Sequence, residues 1–197
     1  MKRSYDMATR QRAKDATREA IIGAAIEAFM AERSFAVTLP SVAERAGVTV
    51  KTVLRHFGSR DALIDAAWMQ AYHDVIAERA APHNDIPTAL RVLIDHYERR
   101  GDMVLAVLSD EHDPRAVHTA DTGRLAHRAW VDDVFAARLP DDDPARSRVI
   151  DVLVVATDVY CWKLLRRERG LSVDDVLDRM SLLTESVLTG VDRGENR

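Results

Sequence analysis

The sequence of 197 residues contains a single cysteine, Cys161, and this excludes a disulfide within the chain. Nothing in the cysteine usage therefore calls for an oxidising compartment. The most apolar stretch, residues 149–165, is shorter than the roughly 20 residues that a membrane span needs, and it contains Asp151, Asp158 and Lys163. The charged N-terminus is followed by more charge and not by the apolar segment of a signal peptide. We therefore expect a cytoplasmic protein that does not associate with a membrane.

The sequence also lacks any convincing alternation of apolar and polar residues, which would indicate β-strands, and it has no internal repeat. Apolar residues instead recur at helical spacing between proline and glycine positions. Hydrophobic residues make up 47% and charged residues 30%, as is typical of a globular protein. The pattern predicts an all-α fold of about nine helices: 14–31, two short helices within 38–58, 59–81, 87–100, 102–109, 114–139, 144–168 and 173–189.

Positive charge is in a small minority overall, with 28 Lys and Arg against 32 Asp and Glu, but it predominates at the start of the chain. The formal net charge is −4, yet residues 1–58 hold 10 Lys and Arg against 6 Asp and Glu, a net +4. Residues 59–197 hold the other 18 against 26, a net −8. A basic segment joined to an acidic body is the charge distribution expected of a localised phosphate-binding surface.

The stretch TLPSVAERAGVTVKTVLRHFG, residues 38–58, predicts two short helices joined by a tight turn. Thr38 and Thr49 are placed to cap the two helices, and Gly47 supplies the left-handed residue just past the end of the first. Two such short helices cannot cover their own apolar sides, so we expect the helix over residues 14–31 to pack on them. The expected inward residues are Ile22, Ala25, Ile26, Phe29, Leu39, Val42, Ala43, Ala46, Val50, Val53, Leu54 and Phe57.

This layout is that of a helix-turn-helix, in which the second helix enters the major groove of DNA. The residues in one register resemble the tetracycline-repressor (TetR) family of transcriptional regulators: Thr38, Val42, Ala43, Ala46, Gly47, Val48, Thr49, Thr52, Val53, His56, Phe57, Ser59, Arg60, Asp61 and Leu63. The resemblance covers about the first third of the chain. It implies a helix-turn-helix DNA-binding domain over residues 1–58 and a helical effector-binding and dimerisation domain over residues 59–197.

The residues predicted to contact DNA are mainly polar or cationic: Thr38, Thr49, Val50, Lys51, Thr52, Arg55, His56 and Arg60. Leu54 departs from the family, which usually carries there a tyrosine whose hydroxyl reaches a phosphate. Lys51 stands where a small residue or proline is common, and it can replace that contact from the next turn. Arg60 has two open interpretations, a backbone contact as in the family or a solvated charge. Residues 1–13 are interpreted either as an arm on the DNA or as a frayed terminus.

The remaining candidate residues belong to the acidic part of the chain. A tentative effector pocket consists of aromatic and polar residues among apolar ones: Trp68, Tyr72, His96, Tyr97, Met103, Trp130, Asp158 and Trp162. Asp158 has a second interpretation, an ion pair with an arginine across a dimer. The last two helices are apolar on more than one side, which predicts a homodimer interface at Val149, Val152, Leu153, Val176, Met180, Leu183 and Val187.

The sequence thus predicts a homodimeric, ligand-responsive regulator, most simply a repressor, that binds a palindromic operator in double-stranded DNA. Its effector is a small molecule, and we expect no cofactor, no metal and no enzymatic activity. Activation instead of repression stays open, since both need the same DNA contacts, and so do two alternatives from other functional classes. One is a non-specific DNA-binding or scaffold protein; the other is an α-helical metal-dependent hydrolase that uses His112, His118 and Asp121, within the cluster that also includes Asp110, Glu111, Asp113 and His127.

Overall fold

The computed structural model describes residues 2–33, 36–81 and 84–194, with the side chains of residues 2–6 and 191–194 left aside. In these ranges the chain is all α, as predicted, with nine α-helices and no strand. The helix predicted to run to residue 81 ends at Glu78, and Pro82, its predicted stop, lies outside the described residues. The helices are α1 (Lys2–Glu32), α2 (Leu39–Arg45), α3 (Val50–Phe57), α4 (Arg60–Glu78), α5 (Ile86–Ser109), α6 (Pro114–Val134), α7 (Asp143–Ala156), α8 (Val159–Lys163) and α9 (Val173–Gly194).

The chain divides into two compact units, residues 1–75 and residues 76–197. In the first unit α1 contacts α2 and α2 contacts α3. Their buried residues include Ile21, Ala28, Val42 and Val53, none of them more than 1% exposed. Each fully buried isoleucine or valine side chain stabilises the unit by about 1.5–3 kcal/mol relative to exposure, and alanine by less. The functional boundary expected at residue 58 stays a prediction.

The predicted caps of the two short helices are confirmed. The Thr38 hydroxyl accepts a hydrogen bond from Ser41 N at 3.3 Å, and the Thr49 hydroxyl accepts one from Thr52 N at 3.2 Å. Gly47 has a φ of +63°, which a residue with a side chain adopts only at a cost, and it turns the chain between α2 and α3. These local interactions define both ends of the turn.

α1 is longer than the sequence predicts, since it begins at Lys2 and not at Lys14. The expectation of a frayed terminus over residues 1–13 is therefore wrong from Lys2 onward. Residues 7–16 are exposed, so they have no reason to show an apolar period. They are rich in good helix formers, and Gln11 donates a hydrogen bond to Asp15 one turn away at 2.8 Å.

The predicted helices 87–100 and 102–109 are one continuous helix, α5, and the stop expected at Gly101 is wrong. Gly101 is buried and allows a close approach of Trp162: a Cβ built on it would lie 2.6 Å from Trp162 Cη2. The glycine thus marks a packing contact between α5 and α8 and not a helix end. Asp85 starts α5 by accepting a hydrogen bond from Thr88 N at 3.1 Å.

The predicted helix 144–168 is interrupted between α7 and α8. Thr157 donates its hydroxyl to Leu153 O at 2.7 Å, and the Asp158 carboxylate caps α8 by accepting from Tyr160 N at 2.8 Å. Such short polar side chains compete with the helical hydrogen bonds of the backbone. A π-helical segment, Leu164–Glu168, follows α8.

Three further boundaries differ from the sequence-based ones. α6 ends at Val134, where a 3-10 turn (Ala136–Arg138) follows, and not at Leu139. Asp142 rather than Asp143 caps α7, by accepting from Ala145 N at 3.2 Å. The last helix extends beyond the predicted residue 189 to Gly194.

α5 lies at the centre of the second unit and contributes to two apolar clusters among its described residues. Ala89 and Leu90 pack in a cluster with residues of α6, α7 and α9, among them Val131, Leu153 and Leu188. Leu93, Ile94 and Tyr97 of the same helix pack in the other cluster, with residues of α8 and α9: Val159, Trp162, Val176 and Met180. Among the described residues no helix has both the length and the apolarity that crossing a bilayer requires.

Candidate nucleic-acid interface and candidate ligand-binding residues

α3 presents one exposed face and is attached by the opposite one. Val53 is 0% exposed and holds the helix in the first unit. Lys51, Leu54 and Arg55 are exposed, and their spacing places them side by side on the helix. A short helix with two outward cations suits the phosphate-lined major groove of DNA.

Leu54 is the outward residue that the sequence reasoning missed. It was expected on the inward face but is 39% exposed, between the cations of α3. Its family position, which usually carries a tyrosine that reaches a phosphate, was the signal that it faces outward. An exposed leucine offers methyl groups to a thymine methyl but no hydrogen bond to a phosphate.

The Thr49 side chain contacts the Thr52 hydroxyl as well as capping α3. Their hydroxyl oxygens lie 3.0 Å apart, within hydrogen-bond distance. Thr49 is exposed, whereas Thr52 and Val50 are half-buried. Thr49 is therefore the most accessible of these three residues at the start of α3.

His56 is only partly on the outer face. Its Nδ1 is buried and has no hydrogen-bond partner, so the expectation of an outward ring is wrong for that edge. Burial, followed by the charges of Arg55, Lys14 and Arg18, lowers the pKa of His56 below its usual value. The Arg18 guanidinium also lies 4.7 Å from the centroid of the neighbouring Phe57 ring. This end of α3 thus lies among cations of α1.

Thr38 and Arg60 lie at the two ends of the segment that contains the helix-turn-helix. Thr38 is exposed and caps α2. The Arg60 side chain is partly buried, and its Nε donates to Val37 O at 2.7 Å. It also lies 3.5 Å from the Asp61 carboxylate. Arg60 therefore ties the start of α4 to the loop before α2, a role that neither sequence-based interpretation included.

The eight residues predicted for an effector pocket fall into both compact units. Trp68 and Tyr72 belong to the first unit, where their rings stack at 5.5 Å. The other six, in the second unit, are His96, Tyr97, Met103, Trp130, Asp158 and Trp162.

Several of those six have structural partners. Trp162 is 0% exposed, and its Nε1 donates to Glu98 at 2.7 Å. The Tyr97 hydroxyl donates to Thr157 O at 3.0 Å. Asp158 caps α8, and burial raises the pKa of its carboxyl group. Met103 is half-buried in α5.

A buried polar cluster in the second unit includes residues that the sequence reasoning did not single out for ligand binding. Arg79 and His127 are 8% and 7% exposed, and Arg79 Nη2 lies 2.7 Å from His127 Nδ1. Trp130 stacks on His127 with ring centroids 5.7 Å apart. Only the fold brings Arg79 and His127 together, since 48 positions separate them in the chain.

Two of the acidic residues in the stretch 110–127 bind the backbone. Asp110 accepts hydrogen bonds from His112 N at 3.3 Å and from Asp113 N at 3.2 Å. Asp113 caps α6 by accepting from Arg115 N at 2.8 Å. Within residues 2–33, 36–81 and 84–194, no three histidine, cysteine or acidic side chains form a group suited to a metal ion.

The predicted dimer residues divide between the core and the surface. Leu153, Val176 and Met180 are 0% exposed, so they pack inside the chain and do not form an outer face. Val149 is buried as well, and Val187 is half-buried. Val152 and Leu183 are exposed, at 47% and 44%. Val155 and Leu182, which are not among the predicted dimer residues, are 65% and 64% exposed on the same two helices, α7 and α9.

Comparison with known proteins agrees with this architecture. Residues 21–67, from the middle of α1 into α4, match the family described as bacterial regulatory proteins, tetR family. A solved structure of a tetR-family transcriptional regulator from Streptomyces coelicolor is similar in fold, with a TM-score of 0.66 at 16% identity over 90% of this chain and 88% of that one. No curated protein matches the chain in sequence. The resemblance found in the sequence is confirmed over residues 21–67, and this part of the chain is similar to the tetR family of bacterial regulatory proteins.

Proposed function

We propose that this protein is a TetR-type regulator: a ligand-responsive repressor that binds a palindromic DNA operator as a homodimer. The observation that carries the proposal is the outward face of α3, with Lys51 and Arg55 exposed on a helix that the Thr49 cap and the buried Val53 hold in place. Lysine and arginine donate hydrogen bonds to guanine or to phosphate oxygens. The other predicted contacts, from Thr38, Val50, Thr52, His56 and Arg60, remain part of the proposal.

The charge of the first unit supports the same surface. Arg12, Lys14 and Arg18 of α1 are exposed cations of the unit that presents α3. Each phosphate that such a side chain neutralises releases condensed counterions, so operator affinity should fall steeply with salt concentration.

The second copy in the proposed dimer is favoured by the outer sides of α7 and α9. The two helices pack against each other through Leu153 and Leu188 of one core cluster. Their other sides expose Val152, Val155 and Leu182. Large apolar side chains grouped in this way are typical of an interaction surface. In a dimer with two-fold symmetry, two copies of α3 reach successive major grooves when they lie about 34–36 Å apart.

Ligand response follows from linkage. A ligand that prefers a conformation with the wrong separation of the two α3 helices lowers the affinity for the operator. By reciprocity, the operator must then weaken ligand binding by the same factor, which corresponds to a coupling free energy of typically about 1–3 kcal/mol.

Selection of DNA fragments from a random pool by the purified protein tests the DNA-binding proposal. We expect an inverted repeat, because the two subunits present identical α3 helices. Enrichment of no sequence over the starting pool would favour a non-specific DNA-binding protein instead.

The recovered operator then allows a gel-shift titration at fixed salt with Lys51→Ala. We expect at least a tenfold loss of affinity, equivalent to about 1.4 kcal/mol, with unchanged helicity and oligomer mass. Arg91→Ala is the matched control, since it removes an exposed cation of α5 in the second unit. Equal affinities of Lys51→Ala and the control would contradict the proposed role of α3.

A further inference from the structure

A buried arginine without an acidic partner lies in the second unit, one residue past the end of α4. Arg79 is 8% exposed, and its Nε is buried with no hydrogen-bond partner. Its guanidinium lies over the Trp130 ring, 5.0 Å from the centroid, and its Nη2 contacts His127. No carboxylate in the described part of the chain forms an ion pair with it.

The nearest acid in the sequence is occupied by other groups. Glu78 accepts from Arg100 Nε at 2.9 Å and from Arg100 Nη2 at 2.6 Å. It also lies 3.2 Å from His96 Nδ1 and 3.8 Å from Arg99 Nη2. Its negative charge is therefore compensated by Arg100 and Arg99 and not by Arg79.

The histidines beside Arg79 are neutral at pH 7. Burial, followed by the charge of Arg79, lowers the pKa of His127 to about 3 and that of His96 to about 4. Thr157 Oγ1 donates to Leu153 O at 2.7 Å and lies 3.1 Å from His127 Nε2. His127 Nε2 therefore carries the ring proton, and Nδ1 accepts from Arg79.

Arg79 is thus the one charged group of a buried cluster with His96, Tyr97, His127 and Thr157. Burial lowers the pKa of its guanidinium, but an arginine stays protonated in proteins. A buried charge is unfavourable unless an opposite charge compensates it, and a free N–H on a planar guanidinium fits a carboxylate oxygen.

We propose that Arg79 anchors a binding site for a small organic carboxylate, whose oxygen accepts from Nε beside the Trp130 and His127 rings. One positive charge among neutral groups matches one negative charge, whereas a phosphate dianion would leave an uncompensated charge in the same cluster. The site names a chemical class for the effector, and only its consequence for DNA rests on the ligand response proposed above.

Calorimetric titration of the full chain with acetate, benzoate and indole-3-acetate, each beside its neutral amide, tests the assignment. We expect at least one carboxylate to bind tenfold or more tightly than its amide and than methyl phosphate. Arg79→Met should weaken that carboxylate at least tenfold, whereas Arg91→Met, which changes an exposed arginine of the same unit, should not change it.

A second variant guards against a folding defect, because Arg79→Met leaves His127 Nδ1 without its donor. Arg79→Lys keeps the charge and loses the planar fork, so it should bind the carboxylate more weakly than wild type but more tightly than Arg79→Met. The proposal is overturned if no carboxylate binds at concentrations up to about 10 mM, which corresponds to a weak single-site affinity. It is also overturned if acid and amide bind equally, or if both Arg79 variants keep full affinity. Tighter binding of methyl phosphate would assign the site to phosphate and overturn the carboxylate class.

The same samples separate this site from the proposed function. A carboxylate that binds at Arg79 without changing operator affinity leaves the site intact and refutes the ligand response. A neutral compound that releases the operator equally from wild type and Arg79→Met, in a protein that binds none of the carboxylates, leaves the ligand response intact and refutes the site.

Discussion

Because Gly101 of α5 packs against Trp162 of α8, we expect Gly101→Ala to lower the free energy of unfolding by an amount that can be worked out from the contact. In an exposed helix interior, replacement of glycine by alanine stabilises a protein by about 0.5–1 kcal/mol. At Gly101 the new Cβ would lie 2.6 Å from Trp162 Cη2 and nearer still to Cζ3. Trp162 cannot move aside cheaply, since it is 0% exposed and its Nε1 donates to Glu98.

Overpacking of this kind costs about 1–3 kcal/mol or more, which exceeds the gain in helix propensity. We therefore expect Gly101→Ala to lower the free energy of unfolding by about 1–2 kcal/mol, or the melting temperature by roughly 2–8 °C in a chain of this size. Urea denaturation followed by far-ultraviolet circular dichroism measures the change.

Gly123→Ala is the matched control, because Gly123 lies in α6 with nothing within 4 Å of an added Cβ. It should stabilise the protein by about 0.5–1 kcal/mol. Trp162→Phe removes the ring atoms nearest to Gly101, so most of the cost of Gly101→Ala should disappear in that background. Equal stability of Gly101→Ala and Gly123→Ala would contradict overpacking against Trp162. So would a Gly101→Ala substitution that lowers the free energy of unfolding equally in the wild-type and Trp162→Phe backgrounds.

Two further predictions concern the subunit surface and acid stability. Leu182→Glu should raise the dissociation constant of the dimer at least tenfold, about 1.4 kcal/mol, as measured by light scattering. The control Leu125→Glu, at a residue 71% exposed on α6, should not change it, and equal masses of both variants would contradict the dimer surface. Because the folded-state pKa values of His127 and His96, about 3 and about 4, lie below the ordinary 6.5, the unfolded chain takes up their protons first and stability falls as pH drops from 6.5 toward 4. His127→Gln should reduce that slope by up to one proton, about 1.4 kcal/mol per pH unit, in urea unfolding at several pH values, and an equal reduction by exposed His112→Gln would argue against burial as the cause.

The local features of the fold could be predicted from sequence because their causes are local. Thr38 and Thr49 cap helices through atoms three residues away, and Gly47 is needed where the backbone is left-handed. The all-α class follows from the period of apolar residues, which any core-facing helix must show.

The errors arose where a distant contact decides the outcome. Gly101 has the appearance of a helix stop, but it is small because Trp162 packs on it from 61 positions away in sequence. Leu153 was expected on a subunit surface but is covered by the chain itself. An apolar helix side has the same sequence pattern whether its partner is internal or a second copy.

The buried cluster was the least predictable part of the candidate sites. His127 was considered only as a possible metal ligand, and Arg79 was not singled out at all. Their pairing depends on the packing of α6 beside the segment after α4, and no periodicity or spacing encodes it. An arginine next to the end of an amphipathic helix is ordinarily a solvated residue.

Very few residues hold α3 in place, so its exposed residues are free to change during the divergence of related genes. Its ends are set by Thr49 and Gly58, and Val53 is its fully buried side chain. Lys51, Leu54 and Arg55 therefore have little part in folding, and selection can exchange them without a stability penalty. If these three residues contact DNA as proposed, substitutions at three codons would give a gene duplicate a new operator preference, while the scaffold that presents them stays the same.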